Sequence, residues 1–171
     1  MKVFYYCCSG IHAAAVAAAL HLGHISGPPE EAVKELEQVK YFDYHPPSAV
    51  KGTPLFRGAD SGGNEVYTIP VDRERFLAPK AIRGLMRIFK IPVEEILLVD
   101  TLKHTTTVMK LGAFVSQKIG LKVAGRRILY WAVEKTFDRY TRQVEQVKKD
   151  ILSLETQGAL KMTGSGNNKE V

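Results

Sequence analysis

Near the start of the chain, Cys7-Cys8-Ser9-Gly10-Ile11-His12 brings two thiols, a hydroxyl, a glycine and an imidazole together within six residues. An ionised thiol is a nucleophile, and an imidazole carries protons near neutral pH. A glycine lets the backbone approach a ligand closely. The alanine-rich stretch that begins at Ala13 has high helix propensity. Its first unpaired N–H groups and the positive end of its dipole would face an anion held by the loop. The pattern therefore points to a site for a phosphate-containing or other anionic small molecule. Cys8, Ser9, Gly10, Ile11 and Ala13 would bind it, His12 would act as acid–base group or phosphate donor, and Cys7 would be the nucleophile. A plainer reading stands beside this one: free cysteines are commonly small buried apolar residues, and His12 would then cap the helix or pack against a neighbour. Two adjacent strand residues point to opposite faces, so Cys7 and Cys8 are poor disulfide partners.

A second constellation is Asp100, Thr101, Lys103, His104 and Thr105, following an apolar run at 96–99. In open α/β sheets ligands sit beyond the carboxyl ends of the strands. On that rule Asp100 is a third candidate catalytic group, able to orient water or carry a proton, with Thr101 and Thr105 as ligand contacts. Capping of the next helix by Thr105 or Thr106 explains the same residues equally well. His21 and His24, taken with His12, raise the idea of a metal site. No carboxylate or cysteine has ligand spacing beside them, so no metal is assigned, and the cofactor is left unknown. No G-x-x-x-x-G-K-[ST] and no G-x-G-x-x-G stretch occurs, which argues against a standard P-loop or dinucleotide site.

These residues need elements to hold them. Residues 3–8 form a continuous apolar run suited to a strand buried on both faces, and the alanine-rich helix after it should stop at Gly23. A short helix is predicted from Pro29 to about Gln38. Tyr41-Phe42 reads as a short strand, and His45-Pro46-Pro47 as irregular. A hairpin is expected with strands near 55–57 and 65–69 around Asp60-Ser61-Gly62-Gly63-Asn64. Beyond Asp72 as cap, a helix should run through Phe89 with Ile82, Leu85, Met86 and Phe89 as its apolar face. The run at 96–99 predicts a further strand. The helix after it would turn Val108, Leu111, Gly112, Val115 and Ile119 to the core. Residues 127–133 read as another strand, and a helix from about Phe137 carries Val144, Val147, Ile151 and Leu154 on one stripe. The expected fold is α/β: a three-layer sandwich with a mostly parallel central sheet flanked by helices, plus a small hairpin. A single domain at 1–155 would be followed by a flexible tail at 156–171.

Composition bounds the partners. The chain has 171 residues, 45% of them hydrophobic and 25% charged, which are ordinary globular proportions. Lys and Arg number 24 against 18 Asp and Glu, a surplus of +6 that favours anionic partners without naming them. Two adjacent cysteines exclude a disulfide framework and suit a reducing cytoplasm. The apolar piece at 13–20 is far shorter than the roughly 20 residues of a membrane span, so no membrane partner is expected. Lys80, Arg83, Arg87 and Lys90 form a basic stripe opposite the apolar face of their helix. Without interleaved exposed aromatics or a recognisable motif, the stripe does not indicate nucleic-acid binding. A protein partner would dock there if the chain were a non-catalytic regulatory or interaction protein.

Two resemblances add to this. The stretch from Val3 through Ala17, with its strand, cysteine, glycine-bearing loop and alanine-rich helix, resembles the opening of low-molecular-weight protein tyrosine phosphatases. That resemblance places Cys7 at the family's nucleophile. The positions of its phosphate-clamping arginine and the following hydroxyl are Ala13 and Ala14 here, so the family's usual reaction is not expected. Over most of its length the chain is more similar to an uncharacterised domain-of-unknown-function family of small proteins from spore-forming bacteria. The Cys, Gly and His of the first loop, Leu20-His21-Leu22-Gly23, the segment Gly63-Asn64-Glu65-Val66-Tyr67 and Met109-Lys110-Leu111-Gly112 carry that similarity. It implies a link to sporulation and no particular activity. Phosphoryl or nucleotide chemistry is the expected reaction class if the site is catalytic.

Overall fold

In the computed structural model, which describes residues 1–44, 52–72, 74, 76–92 and 95–164, the chain is a mixed α/β fold around a four-stranded open sheet. The first apolar run becomes β1 (Lys2–Cys7), buried at every residue except Lys2. It runs parallel to both of its neighbours, β3 (Glu65–Pro70) and β4 (Ile96–Asp100), in the sheet order β2-β3-β1-β4. An interior strand covered on both faces has to be apolar on both. Val3, Tyr5 and Cys7 join the larger core, while Phe4 and Tyr6 pack with Ile69 and Val71 in a smaller one. The predicted hairpin is present: β2 (Leu55–Ala59) pairs antiparallel with β3. In the turn between them, Asp60 accepts the N–H groups of Gly62 and Asn64.

Helix α1 (Ala13–His21) is buried from Ala13 through Ala19 and touches β1, β3 and α6 (Phe137–Gly164). Seven small or branched residues in a row let it lie between sheet and helix with no polar face to solvate. Val144, Val147 and Ile151 of α6 are buried as their spacing predicts. α6 continues to Gly164, through the first part of the segment expected as a tail. α2 (Pro29–Leu36) starts with proline in its first turn, as predicted. On the opposite side, Ala78 and Ile82 of α3 (Leu77–Ile88) pack on the smaller core. Among the described residues, no helix is long and apolar enough to cross a membrane.

Several expectations need correction. Residues 127–133 are not a strand; they belong to α5 (Lys122–Glu134). A β-branched and aromatic run does not by itself distinguish a strand from a buried helix segment. Here Gly125, Leu129, Ala132 and Val133 are buried at helical spacing while Trp131 is 53% exposed. Tyr41-Phe42 lie in a turn rather than a strand. On α3, Met86 is buried, but Leu85 and Phe89 are 53% and 70% exposed, so that helix turns only part of its apolar face inward. It begins at Leu77, and Asp72, at φ +51°, lies in the loop before it. On α4 (Thr107–Phe114) and the π turn that follows it, Met109, Gly112 and Ser116 are buried, whereas Leu111 and Ile119 are exposed. His45-Pro46-Pro47 lie outside the described residues.

Candidate functional site

The loop from Cys7 to Ala13 leaves the carboxyl end of β1 and turns at Gly10. Gly10 has φ +72°, and a Cβ on it would stand 3.0 Å from the Pro70 nitrogen. Both the left-handed backbone and that close approach require glycine. The Gly10 N–H donates to the Cys7 sulfur at 3.1 Å. Cys7 is buried and Cys8 exposed, and burial pushes the Cys8 thiol up, with the neighbouring Cys7 adding to the effect. Cys8 is therefore not a ready thiolate.

His12 occupies the residue before α1, but its side chain makes no capping hydrogen bond. Instead the ring spans two partners. Nδ1 is 3.0 Å from the Ser9 hydroxyl and Nε2 is 3.0 Å from Oδ1 of Asp43. Asp43 is 31 residues away in sequence and enters the site from the turn after α2. Its backbone is left-handed at φ +52°, a conformation Asp tolerates better than most residues, and its N–H donates to the Ile11 carbonyl at 3.0 Å.

Asp43 is the hub of the site. Its side chain is 1% exposed. Oδ2 accepts the Ser116 hydroxyl at 2.6 Å and Nε of Arg126 at 3.3 Å, while Oδ1 also accepts Nε2 of Gln117 at 2.6 Å. Burial alone would raise the Asp43 carboxyl; the hydrogen bonds from His12, Ser116 and Gln117 outweigh it and hold the group well below the usual carboxylate range. An ionised carboxylate can only accept, so in the neutral imidazole Nε2 carries the proton and Nδ1 is left to accept the Ser9 hydroxyl. Phe42, stacked on Tyr130 with centroids 5.8 Å apart, meets the His12 ring edge-on and closes the apolar side.

Ser116 and Gln117 lie in a five-residue π turn, Val115–Ile119, which continues α4 and ends at Gly120 in the left-handed region. π turns are rare and tend to occur at functional sites. Here one places two consecutive side chains on the same carboxylate.

A cavity of about 440 Å³ opens over the loop, lined by Cys7, Cys8, Ser9, His12, Ala13 and Thr105 and, across from them, by Met109, Lys110, Ala113, Phe114, Gln117 and Lys118. Most of the sequence-predicted residues thus converge, and two lysines are added from α4 and the π turn. Gly10 and Ile11 shape the loop from beneath; both are buried and outside that lining. Thr101 is fully buried and spends its hydroxyl on the Tyr6 carbonyl at 2.8 Å. Asp100 accepts the Leu102 N–H at 2.9 Å and lines a separate cavity of about 560 Å³ with Lys103, His104, Arg139, Arg142 and Gln143. The strand-end rule grouped Asp100 and Thr101 with the first loop; the structure separates them from it. Thr106, not Thr105, caps α4, accepting the Met109 N–H. The three histidines do not converge. His21 is held by the Tyr5 hydroxyl at 2.7 Å and Asp60 at 3.0 Å, and His24 by the Tyr41 hydroxyl at 3.2 Å. Among the described residues, no cluster of three or more His, Cys, Asp or Glu side chains could hold a metal ion.

Sequence reasoning missed Asp43, Ser116, Gln117, Arg126, Lys110 and Lys118. The acid among aromatics at Tyr41-Phe42-Asp43-Tyr44 is a local sign of Asp43, and Lys110 lies in the Met109-Lys110-Leu111-Gly112 stretch that carries the family similarity, but neither pattern assigns a site role.

A family model described as "Protein of unknown function (DUF3189)" matches residues 2–149. No curated protein and no solved structure matches the chain.

Proposed function

We propose, for this chain that belongs to the DUF3189 family of proteins of unknown function, that it binds a small phosphate-bearing anion in the cavity over Cys7–Ala13. The observation that carries this reading is the pairing of Lys110 and Lys118 on one wall with Ser9, His12 and the uncapped start of α1 on the other. Two ammonium groups, a helix dipole and a hydroxyl suit a phosphate, and the apolar Met109, Ala113 and Phe114 would hold the remainder of the molecule. The arrangement also suits phosphoryl chemistry, since the groups that would neutralise charge line the cavity with Ser9 and His12, which Asp43 backs in a hydroxyl–imidazole–carboxylate chain.

Thermal unfolding with inorganic phosphate, nucleotides and sugar phosphates tests this, on wild type and on Lys110→Glu/Lys118→Glu. A ligand at a hundred times its Kd stabilises by about 2.7 kcal/mol, or on the order of 5–10 °C in a chain of this size. The expected outcome is such a rise for one phosphate class, lost in the double variant. No rise with any compound, or a rise untouched by charge reversal, contradicts the reading.

A second reading, a non-catalytic interaction protein, is favoured by α3. Lys80, Arg83, Arg87 and Lys90 are exposed there, and so are the apolar Leu77, Leu85 and Ile88. An acidic partner with an apolar stripe fits that combination.

A further inference from the structure

We propose that the Ser9 hydroxyl is a nucleophile activated by His12 and positioned by Asp43, and that it takes a phosphoryl group from a phosphate monoester bound in the cavity. The inference rests on the binding reading above and goes beyond it by assigning turnover and the atom that reacts.

The order of groups carries it. Ser9 is half-buried and its side chain lines the cavity. Its Oγ is 3.0 Å from Nδ1 of His12, and Nε2 of that ring is 3.0 Å from Asp43. An acid that must stay ionised fixes the tautomer, and the tautomer leaves an acceptor nitrogen facing a hydroxyl; this is the working logic of a nucleophile–base–orienting-acid triad. The four donors on Asp43 are more than a helix-capping histidine needs. They hold an acid behind a ring whose other nitrogen is hydrogen-bonded to Ser9, and both His12 and Ser9 line the cavity. Cys7 is the rival nucleophile. Among the described residues no base is hydrogen-bonded to its thiol, which is 3% exposed and takes the Gly10 N–H instead.

In the first step the Ser9 Oγ–P bond forms and the bond from phosphorus to the leaving oxygen breaks, its electron pair going to that oxygen. The Ser9 proton passes to Nδ1 of His12 and from there to the leaving alkoxide, while Asp43 stays ionised beside the imidazolium. In the second step His12 takes a proton from water, the water oxygen attacks phosphorus, and the Ser9 oxygen leaves and is reprotonated. The sum is ester plus water giving alcohol plus phosphate. Lys110 and Lys118 would offset the charge on the transferring group.

The test uses the full chain with p-nitrophenyl phosphate, followed by intact-mass and peptide analysis, and with a fluorophosphonate probe that labels activated serines. Wild type is expected to gain one phosphoryl group or one probe on Ser9 and to release p-nitrophenol. Ser9→Ala should lose both; the wild-type thermal shift with inorganic phosphate, which Lys110→Glu/Lys118→Glu removes, separates failure of the nucleophile from failure of the binding site. Asp43→Asn puts an amide donor against Nε2 and favours the wrong tautomer; labelling should fall on the order of 10³–10⁴-fold with its pH profile altered, in protein that still folds by circular dichroism. Ser9→Cys should regain nucleophilicity, read by iodoacetamide at residue 9. Labelling unchanged in Ser9→Ala, a label on Cys7, or a retained phosphate shift with no label on wild type overturns the assignment.

Discussion

Asp43 connects more of the molecule than any other side chain of the site. It joins the turn after α2 to the first loop through His12, to the π turn through Ser116 and Gln117, and to α5 through Arg126. Its carboxyl is held below the usual range in the folded protein, so the unfolded chain binds that proton more readily. The resulting stability is fully present above the ordinary carboxylate pKa of about 4 and is lost as pH falls through the depressed folded value. His21 acts in the same direction: burial lowers its pKa against the pull of Asp60, so its contribution is present above about 6.5 and is lost as pH falls through the lowered value. Denaturant midpoints measured across acidic pH should therefore decline in wild type, with a shallower acid decline in Asp43→Asn. Equal slopes would mean that the Asp43 hydrogen bonds do not outweigh its burial. Little of this hub was legible in the sequence. Cys7, Ser9 and His12 are close along the chain and their chemistry is local, whereas Asp43 reaches His12 only after the chain has closed a 31-residue loop.

At the scale of elements, the unusually close packing of α5 against the π turn sets the site. A Cβ on Gly125 would stand 2.4 Å from the Ser116 nitrogen, and one on Gly112 would stand 2.9 Å from Leu129. Two glycines thus let α4, the π turn and α5 approach until Ser116 and Arg126 both reach Asp43. Gly125→Ala should cost about 1–3 kcal/mol by overpacking, lowering Tm by about 2–4 °C per kcal/mol, and should abolish the phosphate-induced shift because Ser116 is pushed away. Gly84→Ala is the control: a Cβ there meets nothing within 4 Å, and alanine in place of a helical glycine should stabilise by up to about 1 kcal/mol. The strand expected at 127–133 fails for a related reason. Its aromatic and branched residues look like a strand until Gly125 and Leu129 are seen packing on the preceding helix. By contrast β1, Gly10 and α1 were legible because each is written in neighbouring residues: an unbroken apolar run, a residue able to adopt positive φ, and a stretch of alanines. The exposed basic stripe on α3 gives a separate expectation. Arg83→Glu/Arg87→Glu should abolish salt-sensitive binding of a poly-glutamate peptide by fluorescence anisotropy and leave the phosphate shift intact. Peptide binding that survives the reversal would remove the stripe from consideration.

Over the whole molecule, the parallel strands β3, β1 and β4 point their carboxyl ends toward one edge, and the candidate site lies there, as the rule for open α/β sheets anticipates. Among the described residues that edge is lined by at least two cavities. α4 and the π turn wall one of them with Lys110 and Lys118 over Cys7, Ser9 and His12; α6 walls the other with Arg139 and Arg142 beside Asp100. The rule located the edge, but which helix covers which strand end is decided by long-range packing that no local pattern records. Both cavities are basic, so a net charge of +6 does not choose between them. The deciding measurement is a ¹H–¹⁵N titration of the full chain with p-nitrophenyl phosphate. The predicted result is a saturating set of shifts at Ser9, Gly10, His12, Ala13, Lys110 and Lys118, with Lys103, Arg139 and Arg142 unmoved. Shifts confined to Lys103, Arg139 and Arg142, or none at either cavity, would contradict a phosphate site on the first loop.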